Sequence, residues 1–266
     1  MNPFIHMFGR AIPVYGLLLV VAAAAAWFVI TLLAKKRKWI SSSDASLVFL
    51  IGISGGLVGA ILLRPLIRIV EVAISWERFA VVPAGILLHY IFGEIVFYGG
   101  LIGGLIAIVL FCRKFKIKIA AFFEIAAPAL ALAHAIGRIG CFFGGCCYGI
   151  ELPYGHPLSV VYPHASISAP HGVPLLAIPL IEASYLFVLF VVLIVLCLKV
   201  KKPGLCASIY LLAYPAGRFA IEFFRGDVIR GNYGQLTTSQ YISFLVFAFG
   251  IIYLLRILNI NSKQVP

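Results

Sequence analysis

The chain has 266 residues, of which 63% are hydrophobic and 11% are charged, and its formal net charge is +12. Soluble domains contain about 45–50% apolar and about 25% charged residues, so the composition excludes both a water-soluble globule and a disordered chain. The basic excess does not indicate nucleic acid, because the lysines cluster at the ends of apolar segments, as they do at the cytoplasmic ends of membrane helices. These clusters are Lys35, Lys36 and Lys38; Lys114, Lys116 and Lys118; and Lys199, Lys201 and Lys202, with Lys263 alone in the tail.

The first predicted element is an apolar helix over residues 14–34, with the basic cluster Lys35 to Lys38 directly after it. A signal peptide carries its positive charge before the apolar core, so we expect a retained span whose N-terminus lies outside the cytoplasm. A second helix is predicted over residues 45–63, where small residues allow close packing in lipid. Residues 64–94 are partly amphipathic and are expected to form an interfacial segment on the outer side.

Five further helices are predicted, over residues 95–112, 119–136, 175–198, 205–224 and 239–258. A long outer loop is expected over residues 137–174. Seven spans of about 20 residues use about 140 residues, which fits the length. We therefore expect a single polytopic domain over residues 1–266, an all-α integral membrane protein of seven transmembrane helices. Its N-terminus is expected outside and its C-terminus in the cytoplasm, because this places every lysine on the cytoplasmic side.

The arginines are distributed differently from the lysines, since most of them are predicted in the outer half of the membrane or outside it. Arginine retained on that face indicates recognition of phosphate or carboxylate by a planar, multidentate cation. The arginines concerned are Arg64, Arg68, Arg78, Arg138, Arg218, Arg225 and Arg230.

Ionisable groups inside apolar spans are costly and indicate function. Arg218, Glu222 and Arg225 share one helix face, because they are four and three residues apart. Glu222 can pair with either arginine and leave the other for a ligand; the alternative is an ion-pair network that only fixes helix packing. Since the arginines predicted in the outer half outnumber their acidic partners, function is favoured for Arg138 and Arg218. The full set of such groups is Glu94, Glu124, Arg138, Glu182, Arg218, Glu222 and Arg225.

The densest group of chemically capable residues covers residues 134–149, with five glycines, Arg138 and three cysteines. A glycine-rich turn can offer backbone N–H groups to an anion, and a phospholipid head group fits such a turn beside Arg138. Cys141, Cys146 and Cys147 have three interpretations: a disulfide, close-packed free thiols or, less favoured, a metal site with a histidine. The loop histidines His156, His164 and His171 are expected to be solvated.

A second glycine cluster runs from Gly99 to Gly104 and is preceded by Tyr98. Glycines allow the backbone to approach either a ligand or another helix, and helix packing is slightly favoured here. Tyr98 and Tyr15 each fit the position of an aromatic side chain at the membrane interface.

Taken together, these elements resemble the prolipoprotein diacylglyceryl transferase family over most of the chain. The order and spacing of seven elements carry the resemblance, although no single element is specific. They are Tyr15-Gly16-Leu17; Tyr98 through Gly103; Glu124; Gly137-Arg138-Ile139-Gly140-Cys141-Phe142 through Gly149; Pro179 through Glu182; Arg218, Glu222, Arg225 and Asp227; and Ser239, Gln240 and Ser243.

The resemblance implies a multi-pass protein of the bacterial inner membrane. The family transfers a diacylglyceryl group from phosphatidylglycerol to the lipobox cysteine of a preprolipoprotein signal peptide, and glycerol phosphate leaves. The implied partners are therefore phosphatidylglycerol, these signal peptides and membrane lipids, without nucleic acid. Neither a cofactor nor a metal is implied.

The resemblance also implies roles for individual residues. Arg138 would hold the lipid phosphate, Arg218 would stabilise the leaving group or help to activate the thiol, and Glu222 and Arg225 would orient the site. Tyr98 joins this catalytic set. The implied substrate-binding residues are Tyr15, Gly99, Gly100, Glu124, Cys141, Gly149 and Glu182.

Three positions depart from the family pattern. Tyr98 stands where the family has histidine, Cys141 where it has asparagine, and Cys146 where it has glutamate. A phenol titrates near pH ~10, so tyrosine is a poor base at neutral pH, and the acceptor and the route of proton transfer are open. The alternatives are a diverged lipid-binding or transport protein, and a membrane thiol redox protein that uses Cys141, Cys146 and Cys147.

Overall fold

The computed structural model describes residues 3–7, 9–93, 96–163, 166–200, 202–227, 232–234 and 236–262. Several residues of the predicted pattern lie outside the described residues, namely Glu94, His164, Lys201, Arg230 and Lys263. Helices dominate the described chain: α1 (Val14–Arg37), α2 (Ser42–Ile74), α3 (Trp76–Phe79), α4 (Ala84–Phe92), α5 (Phe97–Lys114), α6 (Ile119–Gly144), α7 (Ile178–Lys199), α8 (Leu205–Glu222) and α9 (Thr238–Ser262). The expected all-α membrane architecture is thus confirmed at the level of class.

Six helices are long and apolar enough to cross a membrane, namely α1, α2, α5, α6, α7 and α9. Within the described ranges α8 is not among them, because its apolar sequence is interrupted by Pro215, Arg218 and Glu222. Each of the seven predicted segments corresponds to a helix, but the count of seven spans stays a prediction.

The chain divides into two compact units, of which the second comprises residues 38–122. There α2 and α5 pack through facing glycines. A Cβ atom on Gly59 would lie 2.2 Å from the carbonyl oxygen of Gly99, and one on Gly99 would lie 2.3 Å from that of Gly59. Small residues on both faces therefore let the two backbones touch, as in tightly packed membrane helices.

Helix α2 is longer than the sequence indicated. It does not end at Leu63 but continues through Pro65 to Ile74, so the expected interfacial segment begins with further helical turns. The proline ring removes one intrahelical hydrogen bond, which membrane helices tolerate because neighbouring groups compensate. The short helices α3 and α4 follow, and Arg64 Nε donates to the carbonyl oxygen of Tyr90 on α4 at 3.1 Å.

The first unit comprises residues 1–37 and 123–266 and contains α1, most of α6, and α7 to α9. Its described residues also form three two-stranded antiparallel sheets: β1 (Phe4–Met7) with β2 (Arg10–Pro13), β3 (Ser159–Val161) with β4 (Pro174–Leu176), and β5 (Asn232–Tyr233) with β6 (Leu236–Thr237). In the β3–β4 pair, Ser159 lies opposite Leu176. Tyr162, Ala169 and Leu175 form a small apolar core beside this pair.

Candidate active site

The end of α6 carries Arg138, and it is helical where a loop was expected. Residues 137–144 continue the helix to Gly144, so their N–H groups serve helical hydrogen bonds. The prediction of a glycine-rich turn is therefore wrong for this part, and the turn begins only at Gly145. Gly140 lies against α1: a Cβ atom on it would stand 3.0 Å from Cδ2 of Tyr15. Glycine is thus used for close packing, and Tyr15 contacts α6 at a residue only two positions after Arg138.

Arg138 pairs with Glu182, which lies in the first turns of α7. Arg138 Nη2 stands 2.9 Å from Glu182 Oε1, and the two side chains are 13% and 1% exposed. Pro179 occupies the first turn of α7, where its missing N–H has no cost, and this fixes the start of the helix that presents Glu182. The pair therefore joins α6 to α7 in a buried environment.

Arg218 and Glu222 pair within α8, one turn apart, at 2.6 Å between Nη2 and Oε2. The prediction that they share a helix face is confirmed, and Glu222 forms its ion pair with Arg218 rather than with Arg225. The second carboxylate oxygen of Glu222 accepts a hydrogen bond from Thr237 Oγ1 at 3.0 Å. The segment that leads into α9 thus helps to orient this carboxylate.

Arg225 lies just beyond α8 and binds Asp227 through two parallel hydrogen bonds. Arg225 Nε donates to Oδ1 at 2.9 Å and Nη2 donates to Oδ2 at 2.7 Å. The backbone of Arg225 forms a β-bridge with Gly149, and a Cβ atom on Gly226 would lie 2.3 Å from the Gly149 carbonyl oxygen. Gly149 therefore supports the arginine through the backbone.

Each of these three arginines has one carboxylate partner among the described residues. Yet each keeps a buried nitrogen without a hydrogen-bond partner among the described residues: Nε of Arg138, Nη1 of Arg218 and Nη1 of Arg225. Arg218 also interacts electrostatically with both other arginines. A buried unpaired donor costs about 1–3 kcal/mol, so the site favours an additional anion with several oxygens.

Two tyrosines that were not predicted from the sequence line the same face of α8. Tyr210 and Tyr214 stack with ring centroids 5.6 Å apart, and His134 of α6 lies 3.2 Å from the Tyr210 hydroxyl through Nδ1. Tyr210, Tyr214, Arg218 and Glu222 recur every four residues. This periodicity was the signal that could have identified the tyrosines.

Tyr98, Gly99 and Gly100 lie in the second unit, at the start of α5. Tyr98 is 44% exposed, and its ring is nearly perpendicular to that of Phe97, with the ring centroids 5.7 Å apart. Gly99 faces Gly59 of α2, which confirms the helix-packing interpretation for this glycine. The substrate contacts of all three residues stay predictions.

Glu124 is fully buried in α6 and lies about 21 Å along the helix from Arg138, at about 1.5 Å per residue. Its Oε2 atom accepts hydrogen bonds from the backbone N–H groups of Gly204 and Cys206 at 2.7 and 2.8 Å. It therefore accepts hydrogen bonds from two buried N–H groups at the N-terminus of α8 that have no partner within the helix. A negative charge at this position also interacts favourably with the positive end of the helix dipole.

The three clustered cysteines meet at the end of α6. The Sγ atoms of Cys141, Cys146 and Cys147 lie within 4.8 Å of one another, and all six cysteines of the chain are thiols. Hydrogen bonds from the Cys141 and Cys146 thiols lower the pKa of Cys147 below its ordinary value, and the charge of Arg225 lowers it further. Of the interpretations that the sequence left open, the structure therefore favours thiols over a disulfide.

The sequence is similar to proteins of one family over almost its full length. A family model described as prolipoprotein diacylglyceryl transferase matches residues 3–256. A phosphatidylglycerol–prolipoprotein diacylglyceryl transferase of Clostridium tetani is 32% identical over 252 residues, covering 94% of this chain and 96% of the relative. Relatives of the same description from Clostridium perfringens and Gloeobacter violaceus are each 32% identical, over 97% and 98% of this chain and 94% of either relative.

Proposed function

The chain belongs to the prolipoprotein diacylglyceryl transferase family, and we propose that its three ion-paired arginines bind the phosphate of the lipid donor. The protein is a membrane transferase of lipoprotein biosynthesis, which moves a diacylglyceryl group from phosphatidylglycerol to a prolipoprotein. The lipid phosphate and the acceptor thiol must therefore meet within one site of the protein.

The reaction exchanges one carbon–oxygen bond for one carbon–sulfur bond. The acceptor cysteine releases its thiol proton to solvent, and its sulfur attacks the glyceryl carbon that carries the phosphate. The bonding electrons remain on the phosphate oxygen, and glycerol phosphate leaves. Negative charge therefore grows on the departing phosphate, and groups fixed to receive that charge lower the barrier.

The buried, unpartnered nitrogens of Arg138, Arg218 and Arg225 carry the proposal. Arg138 holds the phosphate in the ground state, and Arg218 receives the charge that develops on the leaving oxygen. Arginine suits both tasks, because its planar fork meets phosphate oxygens in pairs and stays charged. Glu182, Glu222 and Asp227 serve as positioning residues, since each fixes one guanidinium plane before the lipid arrives.

Residues other than the arginines are proposed to contact substrate either because they lie close to Arg138 in the first unit or because they match the family pattern. Tyr15 packs on the turn of α6 between Arg138 and Cys141, where it can contact the lipid glycerol. Tyr98, Gly99 and Gly100 remain part of the proposal only through the family pattern, with Tyr98 assigned to the acceptor. Glu124 is assigned instead to the support of α8, because its Oε2 atom accepts the backbone N–H groups of Gly204 and Cys206.

The proposed topology is a single domain of seven spans, with α8 as the additional one, in the bacterial inner membrane. The basic clusters at the C-terminal ends of α1, α5 and α7 support it, because cytoplasmic ends carry lysine and arginine. The N-terminus then lies outside, the C-terminus lies in the cytoplasm, and signal peptides reach the arginines through the outer leaflet.

Purified protein in nanodiscs that contain phosphatidylglycerol, mixed with a lipobox peptide, tests the proposal. We expect a thioether-linked diacylglyceryl peptide and one glycerol phosphate per product by mass spectrometry. Arg138→Ala abolishes turnover while helicity and monodispersity persist, whereas Arg113→Ala, at the exposed end of α5, leaves turnover unchanged. An intact Arg138→Ala protein with normal turnover would overturn the assignment of the phosphate site.

A further inference from the structure

The turn after α6 brings three thiols together by an unusual backbone path. Gly145 and Cys147 both have left-handed backbones, with φ of 66° and 61°. The Cys146 N–H donates to the Cys141 carbonyl oxygen at 3.1 Å, which folds the turn back onto the last turn of the helix. A left-handed conformation costs a non-glycine residue about 1–2 kcal/mol, and such strain concentrates at functional sites.

The geometry of the sulfurs suits a metal ion. All three pairs of Sγ atoms lie within 4.8 Å, whereas a disulfide requires only one pair and leaves the third thiol unused. Thiolates about 2.3 Å from a tetrahedral zinc ion stand roughly 3.8 Å from one another, a contraction that small side-chain rotations supply. The three cysteines are half-buried, so a ligand can still reach the group.

We propose that Cys141, Cys146 and Cys147 bind one Zn²⁺ ion as three thiolates and leave its fourth position open. Three protein ligands with an open position are typical of zinc sites that handle a substrate. The proposal departs from the metal-free chemistry that the family resemblance implies.

The three cysteines lie next to the proposed phosphate site, and this position indicates which ligand could fill the fourth position on the metal. Arg138 lies one helix turn before Cys141, and the β-bridge between Gly149 and Arg225 holds the end of the cysteine turn against a second arginine of the phosphate site. A substrate thiol that binds zinc loses its proton to solvent and remains nucleophilic as a thiolate. Resting on the proposed function, we assign the open position to the acceptor thiol of the prolipoprotein.

A second group of possible ligands, Glu124 with Cys197 and Cys206, is less suited to a metal. These residues are fully buried, and Glu124 Oε2 already accepts two backbone hydrogen bonds. Removal of Cys197 therefore serves as a comparison for removal of the clustered thiols.

The test is metal binding by the reduced, detergent-purified full chain, with Zn²⁺ and its spectroscopic substitute Co²⁺ as probes. We expect one Zn²⁺ per chain, thiolate-to-Co²⁺ charge-transfer absorption, and three sulfur ligands by X-ray absorption. Cys147→Gly is the decisive variant, because glycine fits the left-handed backbone and the exchange removes the thiol together with its Cβ. It should weaken Zn²⁺ binding more than about 100-fold, since even outer-shell changes cost ~10–100-fold.

Cys112→Ser and Cys197→Ser should leave the Zn²⁺ affinity unchanged. The site would be overturned if the reduced protein bound no Zn²⁺ or if the native protein held a disulfide among the three cysteines. Loss of metal binding in Cys197→Ser would overturn it as well. A lipobox peptide should raise the sulfur count of the bound metal by one, and an unchanged count would overturn the role of the fourth position. Failure of transfer while metal is bound would instead count against the proposed function.

Discussion

Arg138 and Glu182 form the contact that ties the signature helix α6 to α7, at 2.9 Å between Nη2 and Oε1. The carboxylate is almost completely buried, so it has no alternative cation in solvent to pair with. This contact gives the arginine a fixed orientation before any lipid is bound, and it leaves Nε unused. The ion pair with Glu182 therefore fixes the orientation of the Arg138 guanidinium and leaves its Nε group to donate to a ligand.

Glu182→Gln should reduce both stability and transfer. Loss of one partner leaves a buried charge uncompensated, which costs about 3–5 kcal/mol in buried pairs. Thermal unfolding in detergent and the peptide transfer assay measure the two effects. Glu77→Gln on the exposed face of α3 is the control and should change neither. A stable Glu182→Gln protein with full activity would show that Arg138 needs no positioning.

Arg218→Lys should retain the positive charge but lose the planar fork. The lysine can pair with Glu222, yet it has no second nitrogen for the leaving phosphate. We expect turnover to fall by about 10²–10³-fold, as on loss of one donor to a developing oxyanion, with a smaller change in lipid KM. Arg256→Lys, exposed on α9, should behave like the wild type. Equal losses in lipid affinity and turnover would instead assign Arg218 to ground-state binding.

Gly99→Ala should destabilise the second unit, because the new methyl group would meet the carbonyl oxygen of Gly59 at 2.3 Å. Overpacking of this kind costs about 1–3 kcal/mol. Gly85→Ala on α4 is the matched control: its Cβ has nothing within 4 Å and should be neutral or slightly stabilising. Unfolding of each variant followed by circular dichroism measures the difference, and equal stabilities would contradict the packing at Gly99.

Glu124→Gln should lower stability without changing the KM for phosphatidylglycerol. The carboxylate accepts two backbone hydrogen bonds at the start of α8, and an amide oxygen lacks the charge that favours the helix N-terminus. A loss of about 1–2 kcal/mol is expected, in the range of helix caps. A raised KM in a protein of unchanged stability would restore Glu124 to the substrate-binding set.

The apolar pattern predicted the helices well, since each predicted span coincides with one. The errors fall at residues 64–74, where an amphipathic interfacial segment was predicted, and at residues 137–144, where the outer loop was predicted to begin. Pro65 and the glycines of these stretches would weaken a helix in water, but inside a packed membrane protein the neighbouring helices supply the contacts that compensate.

The sequence singled out most of the charged residues of the site, but it did not reveal which of them form ion pairs with one another. The four-residue spacing of Arg218 and Glu222 fixed their contact, because both lie on one helix. No local pattern could reveal that Glu182 pairs with Arg138, since this contact depends on how α6 packs against α7. The same limit applies to the thiols, whose spacing in sequence did not reveal a three-way contact across a left-handed turn.

The polar face of α8 has a consequence for how the protein is made. Tyr210, Tyr214, Arg218 and Glu222 give the helix its chemistry but make it too polar to partition into lipid alone. Under the proposed topology it must enter the bilayer together with a neighbour. Helix α9 is suited to accompany it, because Gly250 lies so close to α8 that a Cβ atom there would be 3.0 Å from the Leu211 carbonyl oxygen. Under this topology, we expect α8 to enter the bilayer and dock against α9 in a single step.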